Sequence, residues 1–200
     1  MRRSELVRRL QEVPDFELPV PALEQLVTPA ERAADLLLEA LARGDIAGRT
    51  VADLGCGTGR LAVGASLLGA AAVDGFDIDE RALAVARRST VQGIRWHLED
   101  ATNVVTDAQT VVMNPPFGAQ RRGADRPFWE VAFARSRAVY AFALADSRTF
   151  IERLVVARGA RVEAHRPVPW TLGPTFRHHR RRSVEVPVDL WIVRREEPLP

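Results

Sequence analysis

From Thr50 onward the hydrophobic positions fall into two alternating kinds of block. Short, nearly continuous apolar runs such as "TVADL" and "TVVMN" have the pattern of strands buried on both faces, and between them lie longer stretches with apolar residues at helical spacing. The order is strand "TVADL", helix "GRLAVGASLLGA", strand "AAVDGFDID", helix "ERALAVARRSTV" and strand "GIRWHL", in which Ile94, Trp96 and Leu98 alternate with polar neighbours. Strand "TVVMN", helix "PFWEVAFARSR", strand "AVYAFAL" and helix "SRTFIERLVVARGA" follow, and "RVEAHRPVPW" and "SVEVPVDLWIVRR" close the series as strands. Alternation of this kind predicts an α/β fold, a mostly parallel sheet with helices on both faces.

Upstream of Thr50 the pattern is different. Ser4 is placed to cap a helix running to Val13, after which "PDFELPVPALEQLVTP" is punctuated by prolines and predicts an irregular wrapping segment. Thr28, Pro29 and Glu31 read as a capping box that opens the helix "PAERAADLLLEALARG", with Ala33, Leu37, Ala40 and Leu41 on one face and Gly44 as its stop. No repeat or low-complexity linker divides the chain. Its 200 residues are expected to form one domain, with residues 1–28 as N-terminal helix and wrap and residues 29–200 as the core.

Composition changes this picture little. All 28 basic residues are Arg, against 26 acidic ones, so the net charge of +2 says less about partners than the places where the arginines cluster. A single cysteine, Cys56, rules out an intramolecular disulfide and a Cys-rich zinc site, and the four His lack metal-ligand spacing. No apolar run has the length of a signal peptide core or a membrane span, so a cytoplasmic protein is expected.

The chemistry is concentrated at the predicted strand ends. "DLGCGTGR" places Gly55, Gly57 and Gly59 at the turn from the first sheet strand into its helix, where glycine lets the backbone bend and a ligand approach. Arg60 stands where a dinucleotide fingerprint carries another Gly, and no phosphate-binding GK[ST] follows. Asp53, on the same strand, suits a ligand amine, and Asp77, at the end of the next, suits a ribose. A carboxylate beside the glycines repels pyrophosphate but accepts the cationic amino-acid end of S-adenosylmethionine. In that reading Asp100 accepts from the adenine amine, and Ile78 forms an apolar wall.

The fourth strand ends in "NPPF". Pro115 and Pro116 cannot donate to a sheet ladder and Pro115 biases Asn114 toward extended backbone, so the strand stops in a stiff turn carrying a polar side chain. The Asn114 side-chain oxygen and the Pro115 carbonyl suit the two protons of a planar NH2, and Phe117 suits a stacked base. An amine of this kind is a weak nucleophile because its lone pair is delocalised. Alignment with the methyl donor is therefore the catalytic task.

"NPPF" after "DLGCGTGRL" and "DID" resembles class I, Rossmann-like S-adenosylmethionine-dependent methyltransferases that act on exocyclic amino nitrogens. With "LEQ..T", "NPPFGAQRRGADRPF", "AVY" and "TFRHHRRRSVEVPVDL", the chain from about Leu23 to about Val193 is similar to a small archaeal and eukaryotic family whose eukaryotic member methylates N6 of an adenosine in small-subunit ribosomal RNA. The resemblance implies a seven-stranded sheet of order 3-2-1-4-5-7-6 with the last strand antiparallel. It implies cofactor contacts at Gln25, Thr28, Asp53, Gly55, Asp77, Ile78, Asp100, Ala101 and Asn114, and catalysis at Asn114, Pro115, Pro116 and Phe117. The chain departs from the family at Leu26 and Val27, where Tyr-Pro is usual, and at Ala143, where a His is frequent. The resemblance also implies a small zinc-binding activator added at the sheet edge, for which Ile94, Trp96 and Leu98 offer a surface, although packing into the core explains the same alternation.

Arg121 and Arg122 follow the NPPF turn, and "FRHHRRR" brings Arg177, His179, Arg180, Arg181 and Arg182 together without an interleaved acid. Arg pairs with phosphate and stacks on unpaired bases, so these residues are expected to hold substrate RNA. Two other readings compete. A release-factor glutamine also presents a planar NH2 to an NPP turn, and a methyltransferase fold can persist in a non-catalytic RNA-binding protein.

Overall fold

The computed structural model describes residues 1–118, 121–172 and 184–195. Helix α1 (Arg3–Gln11) leads through a strap that contains a single 3-10 turn at Pro21–Leu23 into α2 (Ala30–Ala42). Strands and helices then alternate: β1 (Thr50–Leu54), α3 (Arg60–Leu67), β2 (Ala72–Asp77), α4 (Glu80–Ala86), β3 (Ile94–Leu98) and β4 (Thr110–Met113). The second half contributes α5 (Arg126–Arg135), β5 (Ala138–Leu144), α6 (Arg148–Ala157), β6 (Ala160–Val168) and β7 (Val188–Arg195). A short ribbon pairs Thr171–Leu172 with Val184–Glu185.

The seven long strands form one sheet in the order β3-β2-β1-β4-β5-β7-β6. Neighbours are parallel from β3 to β5, and β7 runs antiparallel to both β5 and β6. Successive residues of the central strands face opposite layers. Val51, Val112 and Tyr140 join the core beneath α1, α2 and α3, whereas Ala52, Val111 and Val139 join the one beneath α5 and α6. Both faces are therefore covered, which is why these strands read as continuous apolar runs.

Three local expectations are corrected. Helix α1 ends at Gln11 rather than Val13, and its N-cap is Arg2 with no side-chain bond, so Ser4 lies inside the helix. The N-cap of α2 is Pro29, again without a side-chain bond, because the Thr28 hydroxyl is engaged by Asn114 instead of by its own helix. The last predicted strand is split, with Val184–Glu185 in the ribbon and Val188–Arg195 in the sheet, on either side of Pro187, which has no N–H to give a ladder.

The end of the sheet away from the glycine turn is tied by charges that no sequence pattern disclosed. Tyr140 Oη donates to Asp45 Oδ2 at 2.6 Å, Arg194 forks onto the same carboxylate, and Arg194 Nε reaches Glu163 at 2.9 Å. Burial and the bond to Asp45 hold the Tyr140 hydroxyl well above its usual range, so it stays a donor. Loss of the Arg194 cation leaves Asp45 buried against a single hydroxyl. Arg194→Met is expected to cost about 2–3 kcal/mol and Tyr140→Phe about 1 kcal/mol in urea unfolding; equal midpoints for wild type and Arg194→Met would show that the cluster carries no stability.

Candidate functional site

The strand order reverses between β1 and β4, and the helices that follow them leave on opposite faces of the sheet. A crevice opens at the carboxyl ends of the strands at such a point. It holds about 380 Å³ and is walled by the strap from Ala22 to Leu26, by Gly55, Gly57, Asp77, Ile78, Asp100 and Ala101, and on the far side by Asn114, Pro116, Arg121 and Phe128. A smaller recess of about 30 Å³ shares Phe16, Leu26, Gly55, Gly57 and Asn114 with it and adds Thr28, Asp53 and Arg60.

The glycines of the turn differ in what they do. Gly55, Gly57 and Gly59 all have positive φ, at 71°, 54° and 90°. A Cβ on Gly57 would lie 2.7 Å from the Phe16 ring of the strap, and one on Gly59 would lie 2.4 Å from Trp96. Gly55 and Gly57 therefore face the crevice, while Gly59 makes room for the indole beneath it. Trp96 also fills the space over Gly75 of β2. Ile94 and Trp96 consequently pack inward, and of the alternating residues on β3 only Leu98, at the strand end, is left exposed, at 56%.

Each acidic residue expected at a strand end is there. Asp77 accepts from the Gly57 N–H at 2.7 Å and the Asp79 N–H at 2.9 Å, which pins the glycine turn to β2, and burial raises its pKa. Asp100 accepts from the Thr102 N–H and hydroxyl and from Asn103, an Asx turn that rigidifies the loop after β3. Asp53 is 1% exposed. Its Oδ2 accepts from the Ala62 N–H at 2.9 Å, and its Oδ1 is buried with no partner among the described residues. Burial, reinforced by the charge of Asp77 and opposed by the Ala62 hydrogen bond, pushes its pKa up to about 7.

Asn114 follows β4 and closes the set. Its Nδ2 donates to Thr28 Oγ1 at 3.0 Å, so the amide turns its oxygen the other way, and that Oδ1 is buried without a partner among the described residues. Thr28 belongs to the strap, which is fastened elsewhere as well. Gln25 accepts from the Val20 N–H at 2.7 Å and donates to Asp79 at 2.8 Å, and Glu24 accepts from the Gly118 N–H at 2.9 Å. Glu24 is also the one non-glycine residue with positive φ among those described, at 50°. A bulky residue holds that conformation only where its surroundings fix it.

Pro116 and Arg121 line the crevice; Arg122 is exposed, and Phe117 stands outside it. The Phe117 ring is half-buried, edge-on to Trp170 at 5.5 Å, and Trp170 in turn packs on Phe142. Arg177, His179, Arg180, Arg181 and Arg182 lie outside the described residues. Sequence reasoning missed Phe16, Glu24, Arg60 and Phe128; all but Arg60 lie outside the recognisable turns, and only the proline-punctuated strap hinted that something covered the glycines.

The crevice suits a ligand with an apolar, planar end near Ile78 and a charged end near Asp53. At its inner end the buried Asp53 Oδ1, without a partner among the described residues, calls for a donor, and the glycine turn leaves a cradle with no Cβ. This donor and acceptor set fits S-adenosylmethionine, and the fold and site define a class I methyltransferase. The model of the methyltransferase small domain matches residues 29–139, and the chain belongs to that family. It is 32% identical to the Drosophila melanogaster protein named rRNA N(6)-adenosine-methyltransferase Mettl5, over 96% of this chain and 95% of that one. The Danio rerio protein of the same name is also 32% identical, over 94% and 97%. Among solved structures, a Pyrococcus horikoshii RNA methyltransferase candidate superposes with a TM-score of 0.90 at 36% identity over 98% of each chain. The chain is an S-adenosylmethionine-dependent methyltransferase, and no helix among the described residues is long and apolar enough to cross a membrane.

The raised pKa of Asp53 has a signed consequence for the ligand-free protein. Because its folded-state value of about 7 exceeds the ordinary 3.8, the native state binds the extra proton, and stability falls as pH rises through that window. Asp53→Asn keeps an oxygen for the Ala62 N–H and removes the buried charge. At pH 8 its melting temperature should exceed that of wild type by at least about 2 °C, a shift corresponding to under 1 kcal/mol in a chain of this length. The gain should vanish near pH 4, and a gain that persisted there would assign it to packing instead.

Proposed function

We propose that this enzyme methylates the exocyclic N6 amine of an adenosine in RNA, most plainly ribosomal RNA, with Asn114 as the group that holds the amine. The observation that carries the reading is the Asn114 side chain: one end is tied to Thr28 and the other is a buried acceptor with no partner among the described residues, at the end of β4. A buried amide oxygen costs free energy until a donor reaches it. An incoming NH2 supplies that donor.

Bound S-adenosylmethionine supplies an electrophilic methyl group. In this reading Gln25 and Thr28 on the strap, Asp53, Gly55 and Gly57 at the first turn, Asp77 and Ile78 after β2, and Asp100 and Ala101 after β3 hold it in the crevice. Gly59 contributes by admitting Trp96 beneath the turn. Asn114 Oδ1 accepts a hydrogen bond from one N–H of the target amine and the Pro115 carbonyl accepts one from the other. Two acceptors at fixed positions pull the nitrogen lone pair out of conjugation and point it at the crevice. Pro115 and Pro116 keep this turn stiff, and Phe117, braced by Trp170, stands beside it as a face for the base. The adenosine has to be unpaired or flipped from its stack to enter.

The mainly phosphate-directed part of recognition is assigned to Arg121, Arg122 and the run containing Arg177, His179, Arg180, Arg181 and Arg182. Arginine clusters of this kind select shape rather than sequence. A small zinc-binding activator pairing with β3, which ends the sheet, remains part of the proposal; Leu98 would face it. The relatives named as ribosomal RNA N6-adenosine methyltransferases support the substrate class.

The test is transfer of labelled methyl groups to naked ribosomal RNA and small ribosomal subunits, with release factor as the competing acceptor, followed by nucleoside analysis. N6-methyladenosine is the expected product; label in the protein would reassign the Asn114 site to a glutamine amide. Asn114→Ala is expected to lower kcat by at least about 100-fold, while affinity for S-adenosylhomocysteine stays within about threefold. Replacing Arg180, Arg181 and Arg182 together with Ala should weaken RNA binding and reduce the slope of log K against log salt, and an unchanged slope would remove them from the interface.

A further inference from the structure

The inner recess contains a third unsatisfied group, and it has the opposite polarity to the other two. Arg60 lies at the start of α3, where the glycine turn ends, and its side chain is only 11% exposed. Nη1 donates to the Thr28 carbonyl at 2.8 Å, and Nη2 donates to the Val13 carbonyl at 2.8 Å and to Asp15 at 3.1 Å. These bonds clasp both ends of the strap. The third guanidinium nitrogen, Nε, is buried and has no partner among the described residues. Desolvation pushes the pKa of the group below the ordinary arginine value, which marks a cation short of compensating negative charge.

Arg60 and Asp53 both line this recess, and so do Asn114 and Thr28. No ion pair joins Arg60 to Asp53 among the described residues, so two side chains that line one recess keep a buried unpartnered donor and a buried unpartnered carboxylate oxygen. Leaving a buried donor or acceptor without a partner is costly, and more so when the group is charged. A ligand that carries an anion and a cation a few bonds apart answers both. The α-amino acid end of the cofactor is such a ligand.

We propose that Arg60 is a cofactor-anchoring residue that reads the carboxylate: its Nε–H binds one carboxylate oxygen while Asp53 Oδ1 accepts from the neighbouring ammonium. The inference rests on the cofactor reading of the crevice and adds to it a residue outside the glycine and strand-end positions. It also gives the strap a reason to respond to the cofactor. One guanidinium holds the strap through Nη1 and Nη2 and the ligand through Nε, so the bound carboxylate steadies the same side chain that fastens Thr28, and Thr28 in turn orients Asn114.

The probes are S-adenosylhomocysteine and its decarboxylated analogue, which keeps the adenosine, thioether and amine, titrated calorimetrically into wild type, Arg60→Met and Asp15→Asn. Wild type is expected to prefer the carboxylate-bearing ligand by roughly 10- to 100-fold, the range of a charged hydrogen bond. Arg60→Met should bind both ligands about equally, with affinity for the decarboxylated analogue within about threefold of wild type. Asp15→Asn loosens the strap without touching Nε and should keep the preference.

Several outcomes overturn the assignment. A preference that survives in Arg60→Met places the carboxylate elsewhere, and an equal loss for both ligands reduces Arg60 to a strap fastener. Equal binding of the two ligands by wild type removes the carboxylate contact while leaving the cofactor reading intact, whereas wild type that binds neither ligand defeats that reading as well. If thermal melting shows Arg60→Met to be unfolded, Arg60→Lys, which retains the buried cation but lacks the guanidinium fork, is expected to lose most of the preference; full retention overturns the proposal.

Discussion

A parallel sheet whose strand order reverses in its middle cannot cover its own carboxyl edge, because the connections on either side of the reversal turn away from each other. The rest of this protein depends on that gap between β1 and β4. It sets Asp53, Asp77, Asp100 and Asn114 at four neighbouring strand ends, so residues spread over some sixty positions of sequence meet around one crevice. The glycines let the chain leave β1 without blocking the space. Trp96 supports them from below, which explains why Gly59 and Gly75 both lack a side chain in its path.

An open crevice needs a cover, and the strap between α1 and α2 provides it. Its fastenings are hydrogen bonds rather than an apolar seam: Arg60 to two of its carbonyls, Gln25 to Asp79, Glu24 to the Gly118 N–H and Thr28 to Asn114. Bonds of this type have geometric demands, and each one places a side chain at a stated position in the site. Glu24 pays for its contact with a left-handed backbone, and Thr28 gives up the cap of its own helix. The cover thus positions side chains of the crevice as well as closing it.

Charge is arranged unevenly across the sheet. Asp45, Glu163, Arg43 and Arg194 satisfy one another around Tyr140 at the end remote from the crevice. At the crevice end, Asp53 and Asn114 each keep a buried oxygen without a donor among the described residues. Buried polar groups are ordinarily paired. The contrast separates the end that holds the fold together from the end prepared for a ligand, and the elevated pKa of Asp53 is the electrostatic trace of that preparation.

The order of strands and helices, the parallel sheet and the NPPF turn were legible in the sequence because each rests on local periodicity or on the fixed dihedral of proline. Asp53, Asp77, Asp100 and Asn114 were legible for the same reason, as residues that end apolar runs. Thr28 was misread as a helix cap, since its competing partner Asn114 is 86 residues away. Phe16 over Gly57, Phe128 over Gly55, Arg60 between strap and recess, and Tyr140 on Asp45 left no pattern at all, because long-range contacts have no period. The sequence by itself determined which elements form and which chemical groups stand at their ends. Only the tertiary structure decided which of those groups are paired and which are left waiting, because pairing depends on distance and burial, and both are set by how the elements pack.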